Sequence, residues 1–194
     1  MRRRRSRSSC IDPFAGVGNL ARLPFPFVGV EIEREWATSV QGDARRLPFA
    51  DGTFGAIATS PTYGNRMADH HNAKDGRKRI SYKHNLGRDL TPGNSGQMHW
   101  GEEYRELHRL AWAEAHRVLR LGGACLVNVK DFIRDRERVR VTDWHAETLQ
   151  GVGFALETDP FVQIPVTGMG YGANRELRVP YEVIIRCRKN RKVT

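Results

Sequence analysis

No stretch of this 194-residue chain approaches the ~20 consecutive apolar residues of a membrane-spanning helix, which excludes a spanning segment of that kind. Cysteine is scarce. Cys10, Cys125 and Cys187 stand far apart with no paired spacing, each inside an apolar run, so a disulfide framework is excluded and buried free thiols are expected. Acidic residues are in deficit, 22 against 32 Lys and Arg, and the resulting net charge of +10 sets up a surface potential that draws polyanions, nucleic acid first among them. The opening Met1-Arg2-Arg3-Arg4-Arg5 leads into no apolar segment, so no secretory signal is read and a reducing, cytoplasmic setting is expected. Internal repeats are lacking too. With 39% hydrophobic and 28% charged residues, the composition argues against both wholesale disorder and a coiled coil, and the length suits a single domain over 1–194.

What is present is an alternation of short strands with helical segments. Residues 1–7 read as a basic arm. Ser8 to Asp12 reads as a strand, followed by a glycine-bearing turn from Pro13 to Gly18 and only a short helix, because Pro24 and Pro26 interrupt the chain. Phe27 to Ile32 is a second buried strand, Glu33 to Val40 a helix, Gln41-Gly42-Asp43 a brief third strand, and Gly55 to Thr59 a fourth. Tyr104, Leu107, Leu110, Ala111, Ala115, Val118 and Leu119 recur at helical spacing, and the spacing predicts an amphipathic helix ended by Gly122-Gly123. Further strands are expected at Ala124 to Val129, Phe154 to Ile164 and Tyr181 to Cys187, with a helix opening at Thr142-Asp143-Trp144, capped by Thr142 or Asp143. Residues 188–194 read as a frayed basic tail. This rhythm implies right-handed crossovers and a largely parallel α/β sheet.

The candidate binding residues fall at strand ends. Asp12-Pro13-Phe14-Ala15-Gly16-Val17-Gly18 lies between a strand and a helix, where glycines allow a sharp turn and a close approach to a ligand. Glu31 ends the second strand, where a carboxylate can accept hydrogen bonds from both hydroxyls of a ribose. Asp43 ends the third, placed to receive an adenine amino group.

These residues resemble the S-adenosylmethionine-dependent DNA amino-methyltransferases of the cytosine-N4 and adenine-N6 type, whose first motif looks like Asp-Pro-Phe-x-Gly-x-Gly. The resemblance runs on through Val28-Gly29-Val30-Glu31, Gly42-Asp43-Ala44 and Ser60-Pro61-Thr62-Tyr63 in the family's order, omitting the basic ends and the segment 64–100. It implies a Rossmann-like class I fold: a seven-stranded mixed sheet with an antiparallel last strand and helices on both faces. It also implies S-adenosylmethionine as cofactor, held by Asp12, Pro13, Phe14, Ala15, Gly16, Gly18, Glu31, Ile32, Asp43 and Ala44. Two departures stand out, the curtailed helix after the first motif and the want of a preceding helix before Cys10, and both point to modest cofactor affinity.

Ser60, Pro61 and Tyr63 are the candidate catalytic residues. An exocyclic amine on a base is a weak nucleophile whose hydrogens must be held by acceptors, and Ser60 Oγ and the rigid Pro61 carbonyl supply them while Tyr63 offers a face for stacking. Alignment, not a metal, carries such a transfer. Thr62 stands where the family has a second proline, which suggests a less stiff loop. Serine in first place is similar to the cytosine-N4 branch more than to the adenine-N6 branch.

Between Gly64 and Trp100 lie seven Lys or Arg, three Asp, no Glu and four of the seven histidines, so this polar insertion reads as a nucleic-acid grip. Arg66, Lys74, Arg77, Lys78, Arg79, Lys83 and Arg88 would neutralise phosphates, with Tyr82 and Trp100 as stacking surfaces. Asp69, His70 and His71 do not stand at a recognised metal-ligand spacing, and no metal site is expected. The Gly168 to Gly172 segment reads first as an ordinary loop, with a lid or base-recognition element as the alternative. DNA is the favoured partner, with RNA base methylation and a catalytically silent binding module as the alternatives.

Overall fold

The computed structural model describes residues 9–64, 82–166 and 175–190. Its centre is a seven-stranded sheet in the order β3-β2-β1-β4-β5-β9-β8, with a separate two-stranded hairpin β6-β7. The strands are β1 (Cys10–Asp12), β2 (Phe27–Glu31), β3 (Val40–Gln41), β4 (Phe54–Thr59), β5 (Leu119–Val129), β6 (Phe132–Arg134), β7 (Glu137–Val139), β8 (Phe154–Pro165) and β9 (Tyr181–Lys189). The helices are α1 (Tyr82–Leu86), α2 (Glu102–Val118) and α3 (Val141–Gly151). From β3 across to β5 every pairing is parallel, whereas β9 runs antiparallel to both β5 and β8, giving the mixed sheet with one reversed strand that the family resemblance implied.

Register decides which side chains are buried. Ile11 pairs with Val28 and Ile57, Ile57 with Cys125, and Cys125 with Cys187, so these residues share one face. Against it pack α2 and α3, whose Trp112, Ala115, Val118, Val141, Ala146 and Leu149 complete the core. The opposite face carries Leu126, 40% exposed, and Val162, 38% exposed; there the chain after β1 forms only a single 3-10 turn, Asn19–Arg22, before Pro24 and Pro26. All three cysteines are free and buried.

Four local expectations are corrected. Glu33 to Val40 makes one turn, with Trp36 and Ala37 N–H bonded to the Glu33 carbonyl, because the Glu33 side chain is drawn into the interior, where a solvent-facing helix could not leave it. Helix α2 stops at Val118, ahead of Gly122-Gly123, since Leu119 is already extended and enters β5. Neither Thr142 nor Asp143 caps α3; instead Asp131 Oδ1, 11 residues earlier at the base of the β6-β7 hairpin, accepts the Thr142 N–H at 2.8 Å. Arg188 and Lys189 belong to β9, Arg188 pairing with Glu157 and Lys189 Nζ bonding the His116 carbonyl, because these partners fix what solvent would otherwise fray. Residues 1–8 and 191–194 lie outside the described residues. The β6-β7 hairpin was not anticipated at all, because its two-residue turn, Asp135-Arg136, lacks the glycine that signals such turns.

Candidate functional site

Strand order brings the carboxyl ends of β1, β2, β3 and β4 to one edge, and there a cavity of about 340 Å³ opens, within the range of small-molecule sites. Its wall includes Asp12, Pro13, Phe14, Ala15 and Gly16 from the first loop, Glu31 and Ile32 after β2, Asp43 and Ala44 after β3, and Ser60 and Thr62 after β4. Gly18 stands behind this lining. Its left-handed backbone, φ +78°, turns the chain, and a Cβ there would lie 2.9 Å from Thr38 Oγ1, so glycine suits the position on both counts.

Two buried carboxylates organise the wall. Asp12 Oδ1 accepts the Phe14 N–H at 2.9 Å and the Thr59 hydroxyl at 2.5 Å, yet burial outweighs these donors and pushes its pKa from an ordinary 3.8 up to about 6. Glu31 Oε2 accepts the Gly16 N–H at 2.8 Å and Oε1 the Glu33 N–H at 2.9 Å, tying the first loop to the turn after β2, and burial again raises the pKa. Phe14 stacks on His108 with ring centroids 5.2 Å apart and meets Trp112 edge-on, which anchors the loop to α2.

Asp43 is differently placed. Arg45 donates Nε to both of its oxygens, Nη2 to Oδ2 and its own N–H to Oδ1, and these donors, outweighing burial, hold the pKa of Asp43 below the ordinary range. An adenine amino group seeking this carboxylate therefore competes with Arg45.

The described part of the polar insertion, residues 82–100, is wall rather than arm. Tyr82, Gly93, Asn94 and Ser95 line the cavity beside Trp36, and the Trp36 and Tyr82 rings meet edge-on at 5.5 Å. What holds this segment is Glu33, with no exposed surface: its carboxylate accepts Thr91 N–H and Oγ1, Asn94 Nδ2 and Arg88 Nη2, all between 2.7 and 2.9 Å. Burial opposes the charge, but those donors prevail and lower the Glu33 pKa. Arg88 also pairs with Glu35, so it is engaged within the fold and is not a spare phosphate-binding cation. Trp100 packs with Tyr104 and Trp144 in a second small core. Arg66, Lys74, Arg77, Lys78, Arg79, His70 and His71 lie outside the described residues, as does the Gly168 to Gly172 loop; Lys83 falls on α1.

The Ser60–Tyr63 turn is gripped from below. Trp112 Nε1–H can only donate, so His145 Nδ1, 3.1 Å away, accepts and the ring proton sits on Nε2. That proton goes to the Tyr104 hydroxyl oxygen at 3.0 Å, which frees the Tyr104 hydrogen for the Thr62 carbonyl at 2.5 Å. Burial lowers the His145 pKa well below its ordinary value, so the ring stays neutral and the proton direction holds. From the other side, the Thr62 hydroxyl donates to Ser95 Oγ at 2.9 Å. The turn thus recovers by hydrogen bonding the stiffness that a second proline would have given it.

Ser60 Oγ and Tyr63 OH are 3.2 Å apart, and Asn128 Nδ2 reaches both at 3.5 and 3.4 Å while donating to Glu182 Oε2 at 2.8 Å. Burial pushes the Tyr63 pKa up to about 12. Pro61 is buried, and neither it nor Tyr63 lines the cavity. Sequence reasoning missed Trp36, hidden in an expected helix, and Arg45, Tyr104, His145 and Glu182, none of which stands in a local motif.

No protein-family model matches the chain, and no curated protein matches it by sequence. Solved structures do match. A SAM-dependent methyltransferase of Thermotoga maritima superposes with a TM-score of 0.53 at 17% identity, over 94% of this chain and 82% of that one. The fold is that of the class I methyltransferases. A Listeria monocytogenes protein classed as an S-adenosylmethionine-dependent methyltransferase shares this methyltransferase fold at a TM-score of 0.55 and 10% identity, covering 95% and 92%. The [4+2]-cyclase SpnF shares it too, at 0.56 and 13% identity over 94% and 75%, so the methyltransferase fold alone does not fix the reaction.

Two outcomes follow from this geometry. Tyr104→Phe leaves a buried His145 N–H and the Thr62 carbonyl without their partner, and is expected to cost about 1–3 kcal/mol in denaturant unfolding. Asp12 has a folded pKa above its unfolded one, so the folded state holds the extra proton between about pH 4 and 6 and the contribution of this group to stability falls as pH rises through that window. Asp12→Asn should therefore match wild type at pH 4 and exceed it at pH 7, by up to about 3 kcal/mol, in paired melts across that range.

Proposed function

We propose that this protein is an S-adenosylmethionine-dependent methyltransferase acting on an exocyclic amino group of a DNA base, cytosine N4 in preference to adenine N6. The observation that carries the proposal is one cavity walled by the Asp12–Gly16 loop, Glu31 and Asp43 on one side and by Ser60 and Thr62 on the other.

The wall suits the cofactor's chemistry. A chain of net charge +10 places the carboxylates of Asp12 and Glu31, with that of Asp43 already paired to Arg45, around a single hollow, and the first two suit a ligand bearing sulfonium and ammonium charges. Two bonds to Glu31 leave its oxygens lone pairs for ribose hydroxyls, while Ile32, Leu20 and Trp36 supply apolar surface for a purine. When bound, S-adenosylmethionine supplies an electrophilic methyl group. Gly16 and its neighbours would hold the methionine portion through the backbone, and Asp12 would meet its positive charge.

The protein's part in the reaction is alignment. Ser60 Oγ, on the cavity wall, holds an amine hydrogen so that the nitrogen lone pair turns toward the methyl group, whose bond to sulfur breaks as the N–C bond forms while one amine proton leaves to solvent; Pro61 and Tyr63 stand behind that wall, so the carbonyl and ring expected to meet the base are reached only if the turn shifts. The relay from Trp112 through His145 and Tyr104 keeps the turn in register for this. Basic residues 66–83 add attraction for the polymer.

The test is mass spectrometry of nucleosides from DNA and RNA incubated with the protein and methyl-labelled cofactor. N4-methylcytosine in DNA is the expected product, and Ser60→Ala is expected to lower its rate by one to two orders of magnitude with cofactor affinity unchanged in calorimetry. Label found in RNA alone would move the assignment to RNA; cofactor bound tightly with no label in either polymer would remove it.

A further inference from the structure

The β6-β7 hairpin is the element of this molecule that no motif announced, and it stands against the reaction turn. It begins directly after β5, whose Asn128 touches Ser60 and Tyr63. Arg134 Nη2 reaches the carbonyl of Gly64, the residue after Tyr63, at 3.4 Å, and its guanidinium lies over the Phe132 ring at 5.2 Å. On the other strand Arg138 bonds Asp131 at 2.8 Å and the Tyr181 hydroxyl at 3.2 Å, next to Glu182, the partner of Asn128. Asp131 in turn holds the first turn of α3, so the hairpin is pinned at its base on both sides.

Its tip is built at a cost. Arg134 pairs with Glu137, leaving Asp135 and Arg136 as the two central residues of the turn, with φ of 51° and 64°. That turn favours Asn-Gly or Asp-Gly, because glycine alone enters the left-handed region freely, and an arginine in the second place retains a strain that glycine would relieve. Strain kept at an exposed position beside a reaction site points to use of the side chain. Arg136 is exposed and makes no ion pair among the described residues, and the same holds for half-buried Lys130 at the hairpin's entry. Of the acids nearby, Asp131 is spent on Arg138 and Thr142, while Asp135 in the turn and Glu137 after it are exposed and form no ion pair with Arg136 among the described residues.

We propose that the β6-β7 hairpin binds the phosphate backbone of the nucleic-acid strand that carries the target base, with Arg136 contacting a phosphate and Lys130 and Arg134 lining the approach to the Ser60–Tyr63 turn. This rests on the nucleic-acid reading of the site. It shifts part of the grip from the polar insertion to a rigid element fixed to the sheet.

Arg136→Gly separates the two roles, since it relieves the turn while removing the charge. Binding of a fluorescein-labelled single-stranded DNA oligonucleotide is followed by anisotropy across a salt series for wild type, Arg136→Gly and Arg136→Lys, beside thermal melts and calorimetry with S-adenosylmethionine. The expected result for Arg136→Gly is an equal or higher melting midpoint, unchanged cofactor affinity, a 3- to 10-fold loss of oligonucleotide affinity, and a log–log salt slope shallower by about 0.7, the share of one phosphate contact on a single strand. Arg136→Lys should keep the slope. Glycine and wild-type proteins binding the oligonucleotide alike would overturn the proposal, as would a wild type that binds none. Oligonucleotide binding that depends on Arg136, without methyl transfer to any polynucleotide, would keep the hairpin's role and remove the proposed reaction instead.

Discussion

Buried carboxylates at the ends of the first two parallel strands hold this site together. Glu31 takes one N–H from the loop after β1 and another from the turn after β2, so two segments distant in sequence share a single anchor. Two residues on, Glu33 is wholly enclosed and satisfied by four donors from the segment 88–94. A buried charge with its full set of donors is tolerable, but deprived of one it becomes expensive, so these contacts must form together. The cavity wall is therefore one cooperative unit, and the polar segment 82–100 belongs to it.

Electrostatics in this chain work at two ranges. Over the whole surface the excess of Lys and Arg favours a polyanion, while the cavity itself is lined by acids whose charge burial makes costly. Such a contrast suits a protein that brings a cationic small molecule and an anionic polymer to adjoining places, because each ligand meets complementary charge only at its own site. The Ser60–Tyr63 turn is braced by neutral hydrogen bonds, from Tyr104 below and Ser95 beside it, so its geometry does not depend on a charged partner.

Much of the fold was legible because its signals are local. β2 and β4 are short apolar runs, and the Asp12–Gly18 loop announces itself by composition. Glu31, Asp43 and Ser60 meet at one cavity because, in a parallel sheet, the residue ending a strand faces the same edge whatever lies between strands. The failures share another character. Glu33 as a cross-brace, the Trp112-His145-Tyr104 relay and Asp131 as a cap 11 residues from Thr142 all link residues that no local motif joins, and nothing near Glu33 distinguishes a buried acceptor from the start of a helix. The hairpin escaped notice for the opposite reason: its turn is local but its residues violate the usual preference.

The sequence by itself determined most strands of the main sheet, the sharp turn after the first of them and which acids end strands, since backbone sterics and the period of apolar residues act over a few positions. Tertiary structure alone decided that Thr62 is held from both sides, that Asp43 is already claimed by Arg45, and that a strained hairpin stands beside the reaction turn. Those outcomes depend on which polar groups meet once the sheet has formed, and a buried donor or acceptor takes whatever partner the packing delivers to it.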